Sequence, residues 1–434
     1  MTRTLKIGIA GLGTVGAGVV RTLKRNSSLI AAQAGTRIQV GRVAELDASR
    51  IKGLPLPRSC KQGDLRELVE DPDIPIIVEL IGGTVAAKTL VLDALKAGKH
   101  VVTANKALLA KHWRFIFSRA NRRGCAVGFE SSVMAGVPVI RSLENGLAGN
   151  DVHSILGILN GTSNFILTCM GDHHEEFPDA LDEARNRGLC EADASLDTEG
   201  HDATQKLAIL ASIATGKWLR PSKVFREGIG QIQHADLMEA REQFGYILRP
   251  LAILKMAEKG VEARVHPTLI PSDHPLAAVG HEFNAAMINT DAAGPITLIG
   301  KGAGAGPAAS GVVSDIIGIA RHLAGDAGGA VPVPFLPSKE TLDVVPMAEQ
   351  TSKYYLHFSV IDKPGVLSYI SGVLGKHDVS IVSVHQRGRS EKGAVPVVII
   401  THEALEGNIR KALAQIDRAR KIVKRRTVAI RIEE

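Results

Sequence analysis

Between Gly188 and Leu207 the chain reads GLCEADASLDTEGHDATQKL, which sets five acids and one lysine among small residues. Carboxylates in such a stretch can hold an ammonium group through charge-assisted hydrogen bonds, and a lysine beside them can give or take a proton. The acids are Glu191, Asp193, Asp197, Glu199 and Asp202, and the lysine is Lys206. Gly200 interrupts the run. From His201 onward Ala203, Leu207, Ala208, Leu210 and Ala211 recur with helical spacing, predicting a helix that enters the core. Asp202 and Lys206 then share a face at i,i+4. An ordinary helix start with a surface ion pair explains the same residues, so the weight falls on what surrounds them.

Those surroundings begin with an apolar run, Lys6 to Ala10, leading into Gly11-Leu12-Gly13-Thr14-Val15-Gly16 and then Val19, Val20 and Leu23 at helical spacing. Strand, glycine turn and helix form the context in which GxGxxG signifies dinucleotide binding. Gly11 permits the tight turn, Gly13 lets a pyrophosphate approach the backbone, and Gly16 lets the helix lie close to the strand. A second strand is expected over Ile38 to Ala44. After it, Glu45 and Asp47 suit a ribose 2′-hydroxyl, whereas Arg42, Arg50 and Lys52 suit a 2′-phosphate, so both NAD and NADP stay open. Further strands are expected at Ile76 to Leu80, ending in Gly82-Gly83-Thr84, at His100 to Thr103, and at Ala126 to Phe129, with a helix over Ala87 to Ala97. Lys106 falls just past one strand end, and Glu130 past another, where with nearby backbone carbonyls it can hold a cation through hard oxygen ligands.

Composition narrows the partners. The chain has 434 residues, a length for two or three domains, and no apolar run of membrane-spanning length or leader segment, so a cytoplasmic protein without membrane contact is expected. Aromatics make up only 4%, which disfavours base stacking. The net charge of +7 owes much to 410–426, where eight Lys or Arg meet only Asp417; a solvated helix face, rather than a nucleic-acid site, is the expectation. Four scattered cysteines without a CxxC pair argue against a zinc ribbon or a disulfide framework. The acidic and histidine-rich run Asp172 to Glu176 is read as an exposed loop without convergent ligand geometry, and Asn160 to Asn164 as a polar turn suited to orienting a small substrate.

Taken together, GLGTVG (11–16), ANKALLA (104–110), GILNGTSNFILT (157–168) and EADASLDTEGHDATQKLAIL (191–210) resemble the homoserine dehydrogenases, over Lys6 to about Arg321. The resemblance implies reversible, NADP- or NAD-dependent reduction of L-aspartate 4-semialdehyde to L-homoserine, on the route to threonine, isoleucine and methionine. It implies that Lys206 is the catalytic acid or base with Lys106 its partner near the nicotinamide. Glu191, Asp202, Asp197, Asn160, Gly161 and Thr162 would bind substrate. Gly11, Leu12, Gly13, Thr14, Val15, Gly16, Gly82, Gly83, Thr84, Lys106, Gly188 and Gly304 would line the cofactor. Glu130 with Val133, Ala135 and Val137 would hold a sodium-like cation, although the family favours glycine where Ala135 stands. The family's frequent arginine after the second strand is absent at Glu45 and Leu46. With the glycine motif starting at residue 11, no aspartate kinase is expected fused ahead of it.

Gly325 to Thr351, with Pro332, Pro334, Pro337 and Pro346, is read as a surface arm. Beyond it the pattern is βαββαβ, a ferredoxin-like sheet, and DKPGVL with VSIVSVHQ resembles an ACT domain. That resemblance implies an amino-acid effector, threonine foremost, and assembly as a homodimer or homotetramer. The expected class is thus α/β: a Rossmann-like NAD(P)-binding domain over 1–133 plus about 305–325, an α+β substrate and dimerisation domain over 134–304, a linker over 326–352, and the ACT domain over 353–434. Two other readings are a non-catalytic sensor of dinucleotide and amino acid, and another oxidoreductase of an amino-acid-like substrate.

Overall fold

The computed structural model describes residues 4–190, 193–325, 340–386 and 393–434. Its first sheet is parallel. The strands are β1 (Thr4–Ala10), β2 (Arg37–Ala44), β3 (Lys61–Gly63), β4 (Ile76–Glu79), β5 (His100–Thr103) and β6 (Val127–Gly128), in the order β3-β2-β1-β4-β5-β6. Helices α1 (Thr14–Arg25), α2 (Ser27–Ala34), α3 (Leu65–Glu70), α4 (Val85–Lys96) and α5 (Lys106–Arg123) make the connections. Ile7, Ile9, Ile76 and Val78 are wholly buried, as strands covered on both faces require. The order reverses between β1 and β4, which fixes the ligand crevice outside their carboxyl ends. α2, β3 and α3 were not foreseen, being too short to carry a readable period.

Past β6 come α6 (Val139–Arg141), β7 (Val152–Ile158), α7 (Gly161–Asp172), α8 (Phe177–Asn186), α9 (Ser195–Thr198), α10 (His201–Thr215) and β8 (Phe225–Arg226). α11 (His234–Phe244) leads into the hairpin β9 (Tyr246–Ala257) and β10 (Gly260–Pro271), then β11 (Phe283–Thr290), β12 (Gly294–Lys301) and α12 (Ala305–Ala324). The C-terminal stretch is β13 (Thr351–Ile361), α13 (Val366–Lys376), β14 (Ile381–Gln386), β15 (Ala394–Thr401), β16 (Ala404–Leu405), α14 (Glu406–Asp417) and β17 (Val428–Ile432).

Compactness divides the chain into two units: 1–159 with 202–224 and 282–342, and 160–201 with 225–281 and 343–434. In the first, Ala309, Val312 and Ile316 of α12 join the core of α1 and β1, so the late helix completes the dinucleotide fold. The same unit holds α10 and the antiparallel set β7-β11-β12.

In the second unit β10 pairs parallel with β17, and β17-β13-β15-β14 follow as antiparallel neighbours. One face of this sheet carries α13 and α14 over Leu356, Phe358, Ile370 and Ile409. The other contributes Tyr355, Ile400, Ile430 and Ile432 to a core with Phe165, Ile166 and Met170 of α7 and Leu237 of α11. The C-terminal module is therefore continuous in core and sheet with the helices before it. The expected arm is stitched down where it is described: Thr341 bridges to Trp218 in the first unit and Val344 to Val261 in the second, while 326–339 lie outside the described residues. Among the described residues no helix is long and apolar enough to cross a membrane.

Candidate active site

The glycine turn has the geometry its spacing requires. Gly11 has φ +89°, and a Cβ there would lie 2.6 Å from Leu80 O; one on Gly16 would lie 2.0 Å from Gly11 O. Gly13 caps α1 and its nearest neighbour to an added Cβ is Arg50 Nη1 at 3.6 Å, leaving the approach to the helix N-terminus open. Nothing lies within 4 Å of a Cβ on Gly82 or Gly83, and Thr84 caps α4. These residues fit a dinucleotide. Glu45 accepts from Leu12 N at 2.6 Å and Asp47 N at 3.0 Å. Burial opposes its ionisation, yet these backbone N–H groups and Arg50 hold its carboxyl below the usual range. Arg42 pairs with Glu67 and Asp71, and Arg50, paired with Asp47, lies beside the turn.

The acidic segment delivers its lysine to the first unit. Asp202 and Lys206 are both buried, and Lys206 Nζ lies 2.8 Å from Asp202 Oδ2. Lys106 Nζ reaches Asp202 Oδ1 at 3.0 Å. One carboxylate thus bridges two ammonium groups, which a surface pair at i,i+4 would not do. Lys206 also donates to Leu159 O at 2.6 Å.

Positioning residues that the sequence did not reveal surround this pair. Glu79, fully buried, accepts from Thr103 Oγ1 at 2.6 Å, and Thr103 Oγ1 accepts from Asn105 N at 3.0 Å. Asn105 caps α5 by accepting from Leu108 N and donates to Gly83 O at 2.7 Å, so it ties the β4 and β5 loops together and sets Lys106 at the first helical position. Asn284 donates to Leu159 O at 2.9 Å, sharing the acceptor of Lys206, and packs where a Cβ on Gly302 would collide with it. The N-cap pattern Asn105-x-x-Leu108 carried a signal; Asn284 on a strand carried none.

The second unit orders the rest of the segment. Asn160 is the N-cap of α7, accepting from Ser163 N at 2.8 Å, and Thr162 to Met170 are buried, so the expected polar turn is the first turn of a helix. Asn160 Nδ2 donates to Asp197 Oδ1 at 2.7 Å, Ser163 Oγ to Asp197 O at 2.9 Å, and Thr162 Oγ1 to Leu189 O at 2.9 Å. Asp197, Asn160, Gly161 and Thr162 are thereby gathered at one place. Gly188, at φ +69°, follows α8, and Gly304, at φ +110°, caps α12. Glu191 lies outside the described residues.

A second buried carboxylate site occupies the first unit. Glu130 accepts from Ile140 N at 2.9 Å and Arg141 N at 3.0 Å, while its own N–H donates to Asp315 Oδ2 at 2.9 Å. Arg141 Nη2 lies 3.0 Å from Asp315 Oδ1. Burial pushes the Asp315 carboxyl up to about 7. Burial, with Asp315 and Glu130 close by, pushes Glu144 up to about 8.

Comparison with known proteins decides the family. Sequence models described as "Homoserine dehydrogenase, NAD binding domain" and "Homoserine dehydrogenase" match residues 11–130 and 138–317, and the "ACT domain" matches 354–419. The homoserine dehydrogenase of Pseudomonas aeruginosa is 41% identical over 100% of this chain and 99% of its own, and that of Neisseria gonorrhoeae 40% over 96% and 95%. The chain belongs to the homoserine dehydrogenase family. Among solved structures, the homoserine dehydrogenase of Thiobacillus denitrificans superposes with a TM-score of 0.93 at 39% identity, over 100% of this chain and 99% of that one. A hyperthermophilic archaeal homoserine dehydrogenase in complex with NADPH gives 0.60 at 27% identity, over 73% and 97%. The protein is an oxidoreductase of amino-acid biosynthesis that interconverts L-aspartate 4-semialdehyde and L-homoserine with a nicotinamide cofactor.

Proposed function

We propose that Lys206 moves the proton of this reaction and that Asp202 and Lys106 position it. The carrying observation is the buried Asp202 carboxylate held between the two ammonium groups. The bound nicotinamide gives or accepts the hydride. In the reductive direction the Lys206 ammonium protonates the developing alkoxide; in the oxidative direction the neutral amine takes the hydroxyl proton. Two of its three N–H directions go to Asp202 and Leu159 O, which leaves the third for the substrate oxygen. Glu191 and Asp197 are the carboxylates we assign to the substrate's α-ammonium, with Asn160, Gly161 and Thr162 shaping that end. Each oxygen of Asp202 already faces a lysine, so we assign it to Lys106 and Lys206 rather than to the substrate's ammonium.

The turn from Glu130 to Val137 is our candidate for a sodium-like cation. Its donors are hard oxygens, the carbonyls of Val133, Ala135 and Val137 beside Glu130. Met134 and Ala135 adopt φ of +56° and +49°, strain that L-residues keep only where surroundings impose it, and the position explains a family preference for glycine at Ala135. The Glu130 carboxylate accepts from two backbone N–H groups, and the carbonyls of Val137 and Ala135 accept from Val139 N and Ser131 Oγ, so a cation would share each of these oxygens with a hydrogen bond already in place. At the ACT module we propose that an amino acid, threonine foremost, regulates turnover in a homo-oligomer. The support is the core that its sheet shares with α7, whose N-terminus holds Asp197.

The testing experiment is the initial rate of NADPH and NADH oxidation with aspartate semialdehyde, with and without threonine, in sodium and in choline buffers. Suppression by threonine and dependence on sodium support the regulatory and cation assignments; indifference to either removes the corresponding one. Glu45→Gln keeps one of the two accepted hydrogen bonds and removes the charge, and is expected to shift the NADPH to NADH ratio of kcat/KM upward by of order tenfold, the size of one relieved charge contact near a surface. No shift would release Glu45 from the ribose site.

A further inference from the structure

The run Asp172 to Glu176, read from sequence as an exposed loop without converging ligands, does converge in three dimensions, with residues outside itself. Cys169 lies in the last turn of α7, and His173, four residues on, caps that helix. Glu183 faces both from α8. The Cys169 Sγ, one imidazole nitrogen of His173 and one carboxylate oxygen of Glu183 lie within 4.8 Å of one another. Glu175 closes the cluster: its Oε1 is 3.8 Å from His173 Nδ1, and its Oε2 is buried with no hydrogen-bond partner among the described residues.

We propose that Cys169, His173, Glu183 and Glu175 form a binding site for a divalent transition metal of the zinc type. One thiolate, one imidazole and two carboxylates are the donor set that such an ion takes in tetrahedral coordination, and the soft sulfur and the imidazole select it over magnesium or calcium. Cys169 is wholly buried and is one of four unbridged thiols, so its direction is fixed by the α7 core. His173 is exposed and Glu183 half-buried, and both can adjust. An edge of a tetrahedral site with metal–ligand bonds of about 2.0–2.3 Å is roughly 3.5 Å, so these two side chains close in by about an ångström. The cation already present is Arg187, which pairs with Glu183 and stacks on Phe165 at 4.9 Å. It meets one oxygen of Glu183 and leaves the other to the metal. A metal takes cysteine as its thiolate, so binding here releases the thiol proton.

The ion would fasten α7 to α8. The first turn of α7 holds Leu189 and Asp197 through Thr162, Asn160 and Ser163, so the site is on the opposite end of the helix that orders that segment. It is distinct from the hard-oxygen turn at Glu130 in both ligands and ion class.

The test uses the full-length enzyme, stripped by a chelator that is then dialysed away, and titrated with cobalt(II). One equivalent is expected to give a thiolate-to-cobalt charge-transfer band with visible bands of tetrahedral intensity, displaced by zinc. Cys169→Ala should lose the charge-transfer band. His173→Ala, a change at an exposed residue that leaves folding intact, should weaken zinc at least about tenfold, the lower end of what a supporting ligand contributes. The proposal is overturned if no thiolate band forms, if the band survives in Cys169→Ala, or if His173→Ala binds as tightly as the parent. Octahedral cobalt without sulfur character would assign the ion to the oxygen turn. Visible bands without sulfur that disappear in His174→Ala would assign it to the neighbouring His174 and His234 pair, 2.9 Å apart. The readout is metal binding, so the outcome is independent of the roles assigned to Lys206 and Asp202.

Discussion

Two buried carboxylate sites of the first unit are built on opposite charge balances. At Asp202 a single carboxylate lies between Lys106 and Lys206. At Glu130 three acids, Glu130, Asp315 and Glu144, share the guanidinium of Arg141. The first arrangement keeps its carboxylate satisfied and holds both lysines against it, Lys206 being the one we propose for proton transfer. The second leaves carboxylates short of cations, so their ionisation is suppressed and becomes sensitive to pH and to any bound cation. Burial is common to both, and the sign of the neighbours decides whether a buried acid works as a fixed anion or as a titrating group.

The largest effect that would break this contrast is Lys206→Ala, for which kcat should fall at least about a hundredfold with cofactor binding retained, measured by steady-state rates and by NADPH fluorescence titration. A loss of cofactor binding, or a kcat within tenfold of the parent, would remove Lys206 from proton transfer. Asp202→Asn keeps the shape and removes the charge between the ammonium groups. We expect kcat to drop by about ten- to a hundredfold with a shifted pH–rate profile, whereas a merely structural role would lower thermal stability and leave the profile in place.

The smaller effect sharpens the other side. Glu144 and Asp315 have folded pKa values raised above the ordinary carboxylate range, so their contribution to stability is fully present below that range and is lost as pH rises through about 7 to 8. Glu144→Gln mimics the protonated acid. It should raise the melting temperature by a few degrees near pH 8.5, corresponding to about 1–2 kcal/mol, and change little near pH 5. Equal effects at both pH values would mean that Glu144 ionises normally in the folded protein. Sodium bound at the Glu130 turn should narrow the gap between parent and variant at high pH, and choline should not.

The two sites also differ in how far the chain announces them. Asp202 and Lys206 are four residues apart on one helix, so their pairing follows from helical spacing. Glu130, Glu144 and Asp315 sit on separate elements, and Asp315 arrives only because α12 packs beside α1. Asn284 was silent for the same reason: a strand asparagine shows no local pattern until β11 sets it on Leu159 O.

What the sequence determined by itself was everything that repeats at short range. The glycine turn fixed β1, α1 and the cofactor crevice because Gly11 and Gly16 meet backbone at distances no side chain allows. Alternation and helical periods fixed the βαββαβ order at the C-terminus, and Asp202 with Lys206 fixed one face of α10. Tertiary structure alone decided that this ion pair is buried, that Lys106 joins it, and that Asn160 begins a helix rather than a turn. It also decided that the C-terminal sheet shares its core with α7 and that Cys169, His173 and Glu183 converge. Each of these rests on contacts between elements distant in the chain, whose free energy comes from burial and long-range charge. Local propensity carries no record of either.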